Sequence, residues 1–161
     1  MASPLRNFLH SITAGLQKMV GAETPEQRIA RETQTVQQSV ATLLFETARV
    51  DHDVTVEDLQ VAEDCLRELF ALPAEQARAL LEHAAQHQER PTSYHPLTRL
   101  INNHFGAEEK HRLVEYMWRV AHADREIDMY EDHLVRKISD LLYVSHRDFI
   151  TAKHRAREHS G

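Results

Sequence analysis

Two short acidic segments hold the side chains best able to do chemistry. Asp124, Glu126 and Asp128 alternate along one, with Glu131 just beyond, while Asp51 and Asp53 stand in the other. Hard divalent cations take several carboxylate oxygens. The set Asp51, Asp53, Asp124, Glu126, Asp128 and Glu131 therefore points to a divalent cation, provided the fold brings the two segments together. The second segment has the spacing of the first, third and fifth positions of an EF-hand loop. Met129 replaces its invariant glycine, however, and Val135 falls where the bidentate glutamate belongs. An EF-hand is excluded. The same residues also have a purely structural use. Thr55-Val56-Glu57-Asp58 and Asp128-Met129-Tyr130-Glu131 both read as capping boxes, in which side chains satisfy the orphan amides of a helix start. Acids there also favour the positive end of the helix dipole. Caps account for Thr55, Asp58, Asp128 and Glu131 but leave Asp51, Asp53, Asp124 and Glu126 unexplained. Three uses stay open: a cation site, caps alone, or an acidic docking surface for a basic partner.

The chain carries twelve histidines. His83 and His87 are four apart, a spacing able to grip one zinc ion. No H-E-x-x-H accompanies them, so a solvent-exposed pair is expected. Glu108 and His111 make a single Glu-x-x-His, whereas a di-iron bundle needs two such pairs and two more glutamates. The one cysteine, Cys65, excludes an intramolecular disulfide framework and a Cys-cluster zinc site, and its amphipathic context assigns it to the core. Trp118 and Tyr116 are assigned to the core as well. There is no glycine-rich phosphate loop, nucleophile elbow or Cys–His pair. A non-enzymatic protein is expected, with a carboxylate-dependent hydrolase a distant third reading. A formal net charge of −6 argues against nucleic acid as a partner, and the basic cluster Lys153, Arg155 and Arg157 is too small to reverse that.

The elements that must position these residues are helices. Ala, Leu, Glu, Gln and Arg run long between four glycines and five prolines, and no alternating β-branched pattern occurs. Thr24 caps and Pro25 opens a long helix to about Val50, with Ile29, Val36, Val40, Leu43, Leu44 and Ala48 at helical spacing. Thr55 opens a second helix, buried through Leu59, Ala62, Leu66, Leu69 and Phe70. Pro73 separates it from a third, running to Gln88. A linker from Arg90 to His95 leads to a short helix, Leu97 to Phe105. Ala107 to Ala123 carries apolar residues on two sides and reads as a central helix. Leu134, Ile138, Leu141 and Leu142 mark the next, and Ser145 caps the last. Ahead of all these, residues 1–22 form an amphipathic helix with Leu5, Phe8, Leu9, Ile12, Leu16 and Met19 on its stripe. It is expected to dock on the domain, or to contact a membrane or partner helix. No run approaches the ~18 apolar residues of a membrane span, and a cytoplasmic location is expected.

The acidic segments belong to an internal repeat. At an offset of 73, Ala48, Asp51, Asp53, Val54, Thr55 and Asp58 match Ala121, Asp124, Glu126, Ile127, Asp128 and Glu131. At 72, Leu66, Glu68, Leu69, Phe70 and Leu72 match Ile138, Asp140, Leu141, Leu142 and Val144. One residue has been gained or lost inside the unit. Two repeats are too few for a solenoid and read as paired hairpins across a pseudo-two-fold axis.

The stretch from Thr98-Arg99-Leu100-Ile101-Asn102, through Trp118-Arg119-Val120-Ala121-His122-Ala123-Asp124, to Asp140-Leu141-Leu142-Tyr143-Val144-Ser145-His146 resembles bacterial TerB-like tellurite-resistance proteins. That family is similar in turn to the N-terminal domain of some membrane-anchored DnaJ-type co-chaperones. The resemblance implies an all-helical, internally symmetric fold with clustered acids, a link to tellurite or stress response, a protein partner and no catalytic activity. It also implies glycine after each loop aspartate, where this chain has His52 and Arg125. The expectation is thus an all-α bundle of eight or nine helices counting the helix of residues 1–22, with a single domain over residues 23–158 and repeat units at about 25–90 and 107–158.

Overall fold

A computed structural model of the chain describes residues 21–50, 52–87, 89–123 and 127–160. Among them there are seven helices and no strand. The amphipathic segment expected over residues 1–22 falls almost wholly outside these residues, as do Asp51, Asp124, Arg125 and Glu126. The helices are α1 (Pro25–Arg49), α2 (Val56–Phe70), α3 (Ala74–Gln86), α4 (His95–His104), α5 (Ala107–Ala121), α6 (Met129–Leu141) and α7 (His146–Ser160). None is long and apolar enough to cross a membrane.

Packing divides the chain into two units, residues 1–34 and 35–161. In the first, the start of α1 is fixed locally. Thr24 N–H donates to Gln27 Oε1 and Gln27 N–H to Thr24 Oγ1, each at 3.1 Å, closing a reciprocal cap ahead of Pro25. Arg31 pairs with Glu23 at 2.6 Å. Ile29, counted above on the apolar stripe, is exposed.

The second unit holds the core. α5 lies at its centre, burying Leu113, Val114, Tyr116, Met117, Trp118, Val120 and Ala121. It packs against α7, α2 and α6, while α3 lies on α2 and α4 on α6. A helix apolar on two sides must be covered on two sides, which explains this central place. Cys65, Tyr116 and Trp118 are core residues, as expected.

Helix ends follow local chemistry. Arg90 donates to the α1 terminal carbonyls of Arg49 (2.9 Å) and Val50 (2.8 Å), which have no intrahelical partner. Arg49 pairs with the buried Glu46. Ser145 Oγ accepts from Asp148 N–H at 3.2 Å and caps α7. The repeat is visible here too. Ala71 (φ 52) and Tyr143 (φ 60), 72 apart, are the two non-glycine residues of positive φ among those described. Each terminates the helix of its repeat in the left-handed conformation. α2 has 15 residues and α6 has 13. The helix starts, Val56 and Met129, are 73 apart and the left-handed residues 72 apart, so the one-residue shift in the repeat falls between them.

Candidate functional site at the junction of the repeats

The first acidic loop leads into α2. Thr55 has extended backbone (φ −90, ψ 166), and its side chain accepts from Asp58 N–H at 3.1 Å. Asp58 Oδ2 returns the bond, accepting from Thr55 N–H at 2.9 Å. The second loop leads into α6 in the same way. Asp128 has φ −92 and ψ 176, and its Oδ1 accepts from Glu131 N–H at 2.9 Å. The reciprocal box expected at both helix starts is complete at α2, and at α6 the Asp128 side-chain cap is made; Asp58 and Glu131 take equivalent third positions. Both are buried, each 1% exposed.

His52 joins them. Its Nδ1 lies 3.9 Å from Asp58 Oδ2, and its Nε2 lies 3.5 Å from Glu131 Oε1. One imidazole thus reaches the third-position acids of both repeats, and the starts of α2 and α6 come together. The ring is oriented by the backbone: Nδ1 is 2.7 Å from the carbonyl oxygen of Asp53. A carbonyl oxygen only accepts, so Nδ1 carries hydrogen and donates. Nε2 is left facing a carboxylate. Unless that nitrogen carries a second proton or meets a cation, lone pair would face lone pair. His52 stands where the family resemblance implies glycine, yet it is not among the residues of positive φ. The loop here does not use that conformation.

Of the six residues expected to form a cation site, Glu131 is buried at this junction, Asp128 is half-buried at its edge, and Asp53 is exposed. Asp51, Asp124 and Glu126 lie outside the described residues. Among the described residues, no group of three or more His, Cys, Asp or Glu side chains is gathered to hold a metal ion. Sequence reasoning missed His52 as a member of the site and gave Asp58 only a capping role. The signal for His52 was its place directly after Asp51, inside the repeated segment.

Beside the junction, α6 is tied to α7. Asp132 Oδ1 accepts from Lys153 Nζ at 3.1 Å, and Asp132 Oδ2 accepts from Arg136 Nη2 at 3.4 Å. Lys153 also sits 4.6 Å over the Trp118 ring, and Arg136 5.0 Å over Phe149. These cation–aromatic contacts tie α7 to α5 through Lys153 and α6 to α7 through Arg136. The start of α6 is therefore anchored from two directions. Exposed apolar side chains stand at both helix starts: Val56 (79% exposed) and Met129 (74%), 73 apart, are the first residues of α2 and α6, and the exposed Tyr130 follows Met129.

Compared with known proteins, residues 37–154 match the sequence model of a family described as tellurite resistance protein TerB. No curated protein and no solved structure matches.

Proposed function

The chain belongs to the TerB tellurite-resistance family, and from that premise we propose that it is a non-enzymatic, cytoplasmic accessory protein whose two acidic loops jointly take up a divalent cation. The observation that carries this reading is the convergence of Asp58 and Glu131 on His52, at 3.9 and 3.5 Å. Burying carboxylates is costly unless a positive charge lies close by. A hard cation suits a set made almost wholly of carboxylates. Glu131 would contribute from the buried side, and Asp51, Asp53, Asp124, Glu126 and Asp128 from the loops. Tellurite itself is an oxyanion and would be repelled by these acids. In this reading the link to tellurite resistance runs through the cation or a partner, not through capture of the oxyanion here.

Calorimetry with magnesium, calcium, manganese and zinc tests the proposal. Saturable binding of at least one ion is expected, weakened about tenfold or more by Glu131→Gln, which is roughly 1.4 kcal/mol. Asp124→Ala should act in the same direction. Silence from all four ions would sink it.

A second reading has its own support. The acids would serve only as caps, and the domain would be a protein-interaction module of co-chaperone type. Its support is the completed Thr55–Asp58 box together with the exposed Val56, Met129 and Tyr130 around the same junction. A purified partner that binds the wild type and is lost on Met129→Glu, with no ion bound, would favour this reading.

A further inference from the structure

A pair of histidines stands at the C-terminal end of α3. His83 lies in its last turn and His87 is its C-cap residue. They are the only two histidines four apart in the sequence. Their rings are in contact, with centroids 5.2 Å apart and planes at 63°. Both side chains are exposed. His87 Nδ1 lies 3.1 Å from the carbonyl oxygen of His83. Because that oxygen only accepts, Nδ1 carries the hydrogen, and Nε2 keeps its lone pair. A backbone carbonyl setting the tautomer in this way is the usual support of a metal-ligating imidazole.

Two further features point the same way. The C-terminal end of a helix carries about half a negative charge, which favours a cation there. The backbone beyond the helix is also held in place. Arg49 Nη1 donates to the His87 carbonyl at 2.9 Å, and Nη2 to the Glu89 carbonyl at 3.4 Å. The second imidazole therefore hangs from a fixed turn. Both rings and Glu89 line one open cavity of about 480 Å³, with room for the waters that an ion would keep.

We propose that His83 and His87 chelate one borderline divalent ion of the first transition row, such as nickel, copper or zinc. Two imidazole nitrogens come from the protein. Water fills the remaining positions, since Glu89 lines the same cavity but no set of three His, Cys, Asp or Glu side chains is gathered to hold an ion among the described residues. Imidazole suits these ions, whereas magnesium and calcium prefer oxygen. The site does not depend on the acidic junction, so each can fail without the other.

The test is calorimetry of the full chain with nickel chloride, in magnesium-containing buffer. One saturable site is expected, unaffected by millimolar magnesium. His83→Ala and His87→Ala should each weaken it about tenfold or more, while Glu131→Gln should leave it unchanged. Nickel should also broaden the His83 and His87 imidazole resonances before those of other histidines, and raise the midpoint of thermal unfolding in the wild type only. Because both side chains are exposed, the variants should retain the wild-type circular dichroism. Nickel binding at wild-type strength in the double variant would place the ion elsewhere and overturn the proposal, as would no binding at all.

Discussion

The two repeats put an acid at the same third position of the same helix, and they use it differently. In the first, Asp58 is short and bonds back to Thr55 N–H at 2.9 Å, completing a local box. In the second, Glu131 has one more methylene, and its carboxylate lies 3.5 Å from His52 of the opposite repeat. Thr55 and Asp128 accept from the equivalent amides of Asp58 and Glu131, but the reach of the two acidic side chains differs. A duplication thus keeps its caps, which local structure requires, while one copy of a capping acid extends across the interface between the copies. The division predicts that Asp58 matters chiefly for stability and Glu131 chiefly for whatever binds.

The sharpest way to break that comparison is to measure stability with and without the cation. At one hundred times its dissociation constant, an ion bound only to the folded chain adds about 2.7 kcal/mol. Wild type and Asp58→Asn should gain that amount, since asparagine can still accept from Thr55 N–H. Glu131→Gln should gain almost none at the same concentration. Denaturant titrations of the three proteins at matched cation concentration check this, and equal gains in all three would erase the distinction between the acids. A smaller effect follows in the ion's absence. Asp58→Ala removes a cap and leaves a partly buried amide without its acceptor, at a cost of about 1–2 kcal/mol. Thr55→Ala and Asp128→Ala should each cost about 1 kcal/mol. Glu131→Gln should cost less than Asp58→Ala, because glutamine keeps the backbone N–H that makes the capping bond with Asp128.

These contrasts also mark where the sequence was legible. Helical periodicity located all seven described helices, because each buries one stripe and α5 two. Thr24, Thr55, Asp128 and Ser145 marked helix starts because a cap is local chemistry, decided within four residues. What tertiary structure decides was harder to read. Leu59 has the spacing of the buried face of α2 but is partly exposed, since it lies near the open start of the helix. His52 could not be joined to Glu131 from spacing alone, because they meet only after the two repeats pack. The positive φ of Tyr143 was hidden for another reason: tyrosine gives no hint of that conformation. Only the alignment with Ala71 at an offset of 72 marks the position.

Cys65 offers a probe confined to the first repeat. It is buried in α2, and burial pushes its thiol up from 9.0 to about 12. Below pH 9 the thiol is protonated in both folded and unfolded chains and contributes nothing to the pH dependence. Between pH 9 and 12 the unfolded chain releases the proton while the folded chain keeps it. The fold then loses about 1.4 kcal/mol per pH unit from this group. Cys65→Ala should flatten that alkaline slope, which urea titrations at pH 8, 9 and 10 would detect. At neutral pH the same thiol should react with alkylating reagents only when α2 opens. Asp58→Ala should therefore speed its labelling, and Glu131→Gln should not.

The smallest effect concerns the other ends of the same helices. Ala71 and Tyr143 both hold left-handed backbone, which strains any residue with a Cβ. Their helices stop there because that turn frees the chain to reverse, and Val144 N–H closes it onto the Ser139 carbonyl at 3.0 Å. Glycine relieves the strain but makes the unfolded chain more flexible, so the two terms partly cancel. Ala71→Gly and Tyr143→Gly should each stabilise by about 0.5–1 kcal/mol, measured as a shift in the denaturation midpoint at unchanged slope. Tyr143 is 84% exposed, so little packing is lost with its ring. Its gain should therefore match that of Ala71 if the two turns are equivalent. A loss at Tyr143 beside a gain at Ala71 would show that the aromatic ring contributes to the fold in the second repeat, and that the copies have diverged at both ends of this helix.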